Sequence, residues 1–242
     1  MNGFVFNGSH CGTNNVIMLS VDRSILPASN NVYLQVPNRD GSYLFDRELS
    51  DRIIKVSCTV FGNSTIDLAL IARQISGWIF TKQRVPLIFD DEPDKYYMAK
   101  YDGAIGLSQI ATDGEFSLTF RCEPYAYSLV NKQQSFVNSA IEVANVGTAP
   151  MYPKITSTFI ASASEYNLWF EGCNMRLVRS FVAGDVVVID NAISKVTVNG
   201  VNAMLNLDLS SRFFGIGSGV HALNTTPVSV ANTTIIWKER WL

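Results

Sequence analysis

Two histidines, His10 and His221, are all the imidazole that this 242-residue chain has for acid–base work. His10 stands beside Cys11, the pairing that a thiol nucleophile and its base would need. Successive side chains of a strand point to opposite faces, so adjacency on a strand argues against a dyad. His221 lies in Gly-Val-His-Ala-Leu-Asn, with no nucleophile motif of the G-x-S-x-G type nearby. Four acids, Asp90, Asp91, Glu92 and Asp94, crowd one turn. Glycosidases set their two carboxylates about 5 to 9.5 Å apart across a sugar, usually from separate strands. Acids bunched at one hairpin tip read instead as a solvated turn. Oxygen ligands on a loop would also suit calcium, but the spacing is not that of an EF-hand. Gly215-Ile216-Gly217-Ser218-Gly219 brings its third glycine one residue early for a dinucleotide fingerprint and reads as a β-turn. Tyr166, Trp169, Trp237 and Trp241 could line a sugar site, and on strands they read first as core. The expectation is no catalytic residue, no cofactor-binding residue and no metal ligand.

The bulk of the chain points the same way. Charged residues are 17% of the total, against a typical ~25%. A surface so poor in charge suits a subunit that buries several faces in an assembly. Net charge is −2, from 19 basic and 21 acidic residues, with no clustered basic stripe of the kind that grips phosphates. Cys11, Cys58, Cys122 and Cys173 stand far apart without a C-x-x-C pair, so buried reduced thiols are expected rather than zinc ligands. The N-terminus lacks the charged and apolar regions of a signal peptide, and no apolar run approaches the ~20 residues of a membrane helix. Synthesis in a cytoplasm is expected. The N-x-S/T triplets at Asn7, Asn63, Asn224 and Asn232 are then not glycosylation acceptors.

The elements that must position these residues read almost entirely as strand. Phe4-Val5-Phe6 runs into the N-G turn at Asn7-Gly8, a strong hairpin signal, and Val16 to Val21 and Ile53 to Phe61 follow. From Ile66 to Phe80, apolar residues recur at helical spacing (Leu68, Ile71, Ala72, Ile75, Trp78, Ile79). Ser64 and Asp67 resemble a capping box, and this helix is expected to cover one face of a sheet. Val85 to Tyr127 predicts a hairpin around the acidic turn with a further strand behind it. Neither period explains the segment of about residues 22–51. It holds two prolines, two turn clusters and the exposed-looking Leu26, Tyr33, Leu34, Val36, Tyr43, Leu44 and Phe45. A connection of ~30 residues is typically functional or disordered, and this one is too apolar for disorder. An arm packing on another subunit satisfies both facts, with those seven residues as its contact surface.

After Tyr127 the composition shifts, Ser128 to Pro153 lacks regular pattern, and a boundary is expected near residue 130. Short strands follow: Lys154 to Phe159, Tyr166 to Phe170, Met175 to Val178, Gly184 to Ile189, Lys195 to Val198, Val201 to Leu207 and Thr234 to Trp241. Punctuated by turns such as Asn199-Gly200, they predict a β-sandwich or jelly roll.

The segments VDRSILP, VPNRDGSYLF, the helix ending in GWIF, LIFDDEPDKYYMAKYDG and FSLTFRCEPYAY resemble the distal tail proteins (Dit) of long-tailed, siphovirus-type bacteriophages and related prophages. The series GDVVVID, VTVNG and LDLSSRFFGIGSG is similar to that family's second domain. The resemblance covers nearly the whole chain. It implies a mainly β protein: residues 1–130 as a ring-forming, β-sandwich or barrel-like domain with one α-helix and an extended arm, and residues 131–242 as a galectin-like β-sandwich. It implies a structural virion protein at the distal end of the tail, a homo-hexameric ring gripped by its arms. Such a ring would join the tail tube protein to the tail-associated lysin or fibre hub, with baseplate or receptor-binding proteins docked on the sandwich. DNA would meet it only in transit through the channel. His221-Ala222-Leu223-Asn224 lacks the following arginine of the galectin H-x-N-x-R strand, so the resemblance itself carries no sugar site onto the sandwich. A carbohydrate-binding protein contacting the host cell wall is the competing reading.

Overall fold

A computed structural model describes residues 3–110, 112–137 and 140–242. The chain divides into two compact units, one reaching to Leu129 and the other spanning Val130–Trp241. In the first unit, β1 (Phe4–Phe6) and β2 (Ser9–His10) form the hairpin that Asn7-Gly8 predicts. Both turn residues have positive φ, 50° and 76°, as a two-residue turn of this hand requires. β3 (Ile17–Arg23) follows, then β4 (Ser29–Gln35), β5 (Ser42–Leu49) and β6 (Arg52–Phe61). Next come α1 (Thr65–Ile79), β7 (Val85–Phe89), β8 (Lys95–Tyr101), β9 (Ser108–Ile110) and the long β10 (Asp113–Ser128).

One sheet takes the order β2-β1-β7-β8-β10-β6-β3, with β9 also on β10. The β7–β8 hairpin around the acidic turn is antiparallel, and β10 lies behind it as expected. β10 alternates buried and exposed residues through Cys122, then shifts register against β8 between Cys122 and Ala126. The core forms where α1 lays its stripe on this sheet. Leu68, Ile71, Ile75, Trp78 and Ile79 are buried, Phe4 stacks on Trp78 at 5.7 Å, and the Trp78 indole N–H donates to Phe6 O at 2.8 Å. Ser64 caps the helix by accepting from the Asp67 amide at 3.1 Å. The return contact differs from a strict capping box, because Asp67 accepts from the Asn63 amide (2.9 Å) instead of that of Ser64.

The second unit is a sandwich. Its strands are β11 (Lys132–Phe136), β12 (Ala140–Asn145), β13 (Lys154–Phe159), β14 (Ala163–Phe170), β15 (Cys173–Phe181), β16 (Val186–Asp190), β17 (Lys195–Val198), β18 (Val201–Asn202), β19 (Gly219–Thr226) and β20 (Ala231–Trp237). One sheet orders β11-β20-β13-β16-β17-β18, the other β12-β19-β14-β15. Ile155, Val187, Ile189 and Ile235 from the first meet Tyr166, Leu168, Leu177 and Leu223 from the second. Phe159 stacks on Phe181 at 4.3 Å, and the buried Tyr166 hydroxyl lies 2.8 Å from Ser157 Oγ and 3.1 Å from Thr233 Oγ1 across the core.

Four expectations need correcting. Residues 128–153, expected to be irregular, carry β11 and β12; Lys-Gln-Gln-Ser-Phe is a polar strand held by β20 rather than by a hydrophobic pattern. The expected strand from Val201 to Leu207 ends at Asn202 and gives way to a 3-10 turn over Met204–Asn206. The expected strand series has nothing between Leu207 and Thr234, yet Gly219–Thr226 form β19 between β12 and β14, because Leu223 and Thr225 point into the core. Finally, residues 22–51 are not aperiodic, because β4 and β5 pair as an antiparallel hairpin, a sheet of their own.

Candidate assembly arm

The β4–β5 hairpin places six of the seven expected arm residues, and Leu26 lies just ahead of it. Tyr33 pairs with Leu44 and Leu34 with Tyr43, and a register shift between Val32 and Tyr33 leaves Phe45 as the extra residue of a bulge. Adjacent positions on a strand face opposite ways, so both surfaces of the ribbon carry large apolar groups. Leu26, Tyr33, Leu34, Val36, Tyr43, Leu44 and Phe45 are all exposed, Phe45 by 75%. Sequence reasoning missed Ile25, 95% exposed at the base, and Val32 on β4. Val32 would follow from the alternation once the strand is recognised; nothing local distinguishes Ile25. The tip turns through Asn38 and Gly41, both at positive φ, and the Arg39 guanidinium lies 3.6 Å over the Tyr43 ring. A two-stranded ribbon in water is at best marginally stable. This one has apolar flanks and no core of its own.

Its two ends, by contrast, are clamped. Where β3 leaves the sheet, Arg23 donates to Asp91 and, at 3.2 Å, to Glu92, while its guanidinium sits 4.7 Å over the Phe89 ring. Where the chain re-enters, Arg52 is buried to 3% exposure. It donates to Ser24 O and, at 3.3 Å, to Pro124 O. The Ser50 amide closes the base on Ala28 O at 2.7 Å, and Asp51 receives Arg84 at 2.7 Å. The crowded acids are therefore not a merely solvated turn. Asp91 and Glu92 hold the exit of the arm, Lys95 lies 3.3 Å from Asp94, and Asp90 accepts from His10 Nε2 at 3.2 Å.

The other residue types that could do chemistry serve packing. His10 and Cys11 do meet, at 4.0 Å from Nδ1 to Sγ, because Cys11 opens a 3-10 turn and escapes strand alternation. The Gly12 amide already donates to Nδ1 at 3.0 Å, which fixes the proton on Nε2 toward Asp90 and leaves no base for the thiol. Cys11 itself is buried and accepts from the Phe4 amide. Burial pushes the thiols of Cys58 and Cys122 up to about 12, far from nucleophilic at neutral pH. Cys173 departs from the expectation of burial and is half-exposed. Within Gly215–Gly219, Ile216 forms an isolated bridge with Met151, the two exchanging backbone hydrogen bonds at 2.8 and 2.9 Å, and Gly219 opens β19. A side chain at Gly215 would meet the Tyr152 ring at 2.9 Å, so close approach explains that glycine and phosphate binding does not. Among the described residues, no three His, Cys, Asp or Glu side chains are placed to hold a metal ion.

In the sandwich, His221 places Nδ1 2.6 Å from Glu171 and Nε2 3.2 Å from Ser218 O. With an acceptor at each nitrogen the imidazolium is favoured, and the pKa rises, chiefly through Glu171. Of the four aromatics, Tyr166 and Trp237 fill the core, whereas Trp169 is exposed.

Comparison with known proteins joins these two units to phage tails. A family described as the phage tail protein RIFT-related domain matches residues 13–122, and the C-terminal domain of siphovirus-type tail components matches residues 146–241. The distal tail protein of Bacillus phage SPP1 is 27% identical over 210 residues, covering 84% of this chain and 81% of the relative. The crystal structure of SPP1 Dit superposes with a TM-score of 0.83 over 100% of both chains at 19% identity, which establishes the common fold. That protein is described as a paradigm of the hub adsorption apparatus in phages infecting Gram-positive bacteria.

Proposed function

Because the chain belongs to the siphovirus-type distal tail protein (Dit) family, a component of the virion's tail tip, we propose that it builds a homo-hexameric ring in which each arm grips the neighbouring subunit. The observation that carries this reading is the β4–β5 hairpin, apolar on both faces, exposed, and clamped at its root. A flexible tail would not need Arg23 and Arg52 to fix its exit and return. Burying a Leu, Tyr or Phe side chain fully contributes about 1.5–3 kcal/mol each, so several together drive association past its entropic cost. An arm that grips a different surface on the next copy makes a head-to-tail interface, and such contacts close into a ring when the rotation divides the circle.

In this reading the first unit, which reaches to Leu129, is the ring former. The second, Val130–Trp241, is a docking platform for baseplate or receptor-binding proteins. One ring face meets the tail tube protein and the other the tail-associated lysin or fibre hub. DNA passes through the channel, and the slightly acidic balance of the chain suits a wall that must not hold phosphates. The role is structural rather than enzymatic, and the subunit is made in the host cytoplasm before it joins the virion.

Light scattering and negative-stain microscopy of the purified chain test the proposal. The expected result is a ring of six copies, reduced to folded monomer when residues 29–49 are replaced by a short Gly-Ser linker. An unchanged oligomer after that replacement, or a strictly monomeric parent at high concentration, contradicts it.

A further inference from the structure

In β14 the residues that fill the core are Tyr166, Leu168 and Phe170, and the alternate ones, Glu165, Asn167 and Trp169, face outward from the four-stranded sheet. Register sets their neighbours. Trp169 stands between Asn174 of β15 and Asn224 of β19, and Asn167 between Arg176 and Thr226. Side chains directly opposite across strands lie about 5 Å apart at Cβ, the breadth of a sugar ring. Trp169 is 45% exposed, although every position facing it and Asn167 across the strands is polar. Asn167 is only 8% exposed, yet its Oδ1 has no hydrogen-bond partner, and neither does Oδ1 of Asn174. Buried amide oxygens normally find one.

Charge narrows the choice of ligand. Arg176 is engaged by Glu165 at 2.6 Å and lies 3.9 Å from Asp208, so its charge is already matched by carboxylates and this face favours a neutral ligand over an anion. The core of a protein–protein interface is apolar around its aromatic anchors; here an indole stands between two amides. Planar amides offer donors and an acceptor side by side, matching vicinal hydroxyls, and an exposed indole matches the C–H face of a pyranose. We propose that this face of the second unit is a binding site for a neutral saccharide. One pyranose ring stacks on Trp169, and its hydroxyls are held by Asn174 and Asn224, with Asn167 behind them.

The test applies the full chain to an array of neutral hexose and N-acetylhexosamine oligosaccharides together with anionic wall polymers, followed by calorimetric titration of the strongest neutral ligand. Binding to a neutral glycan is expected. Trp169→Ala should weaken it roughly tenfold or more, the loss expected of an aromatic anchor, and Asn174→Ala should weaken it several-fold. Neither substitution touches the core, and thermal melting should be unchanged for both. Silence across the neutral glycans, selectivity for the anionic polymers, or unaltered affinity after Trp169→Ala would each overturn the assignment. Light scattering of the same samples reads ring formation separately, so loss of the sugar site leaves the arm reading standing.

Discussion

The two long hairpins of the first unit are built from similar text and meet opposite fates. Val-Pro-Leu-Ile-Phe and Lys-Tyr-Tyr-Met-Ala-Lys-Tyr make β7–β8, while Ser-Asn-Asn-Val-Tyr-Leu-Gln and Ser-Tyr-Leu-Phe-Asp-Arg-Glu-Leu make β4–β5. β7 lies between β1 and β8, with Leu87 and Phe89 buried. β4 and β5 pair only with each other, among the described residues, and leave equally large side chains in water. Apolar alternation specifies a strand; it does not say whose core the strand will enter. In the first hairpin the partner is the rest of the same unit. For the second we infer another copy of the chain.

This contrast can be broken by exchanging which hairpin is damaged. Phe89→Ala should lower the stability of the first unit by about 3–5 kcal/mol in urea unfolding, because a buried aromatic leaves a cavity. Next in size is the clamp. Arg52→Ala removes two charged hydrogen bonds to carbonyls and should cost about 3 kcal/mol, with faster proteolysis of residues 22–51 as a second readout. In the arm, Phe45→Asp should leave the unfolding free energy in urea within about 0.5 kcal/mol of the parent. It should weaken association by about 1.5–3 kcal/mol, read by analytical ultracentrifugation.

The smallest effect belongs to the sandwich. His221 has a folded-state pKa raised above its ordinary value, so its contribution is fully present below the unfolded pKa near 6.5 and is lost as pH rises through the folded value. The second unit should therefore lose a little stability as pH climbs above about 6.5, by less than ~1 kcal/mol because the pair is exposed to salt. Glu171→Gln should flatten that slope. A melting temperature with the same pH dependence in the variant would remove the pair from the explanation.

Local signals were sufficient for α1, the two Asn-Gly hairpins, the hairpin at the acidic turn and the exposure of the large apolar residues between Leu26 and Phe45. Each rests on neighbours within a few residues: the stripe from Leu68 to Ile79, the Asn7-Gly8 pair, the run of large apolar residues around Tyr33 and Tyr43. What escaped notice depends on distant partners. β11 is polar and held by β20 across roughly a hundred residues of chain, and β19 is specified by its place between β12 and β14. The clamps likewise join Arg23 to Glu92 and Arg52 to Pro124, with sequence separations of 69 and 72. No spacing rule could announce them. They turn the acidic cluster from a surface ornament into the mount of the arm.

The most direct test places a photoreactive benzophenone amino acid in place of Phe45 and maps the cross-links of the assembled protein by mass spectrometry. If the arm grips a neighbour, irradiation should yield covalent dimers and higher multimers, with the cross-link landing within residues 3–129 of another copy. Cross-links confined to the same chain, or none in a sample that scatters light as an oligomer, would contradict it.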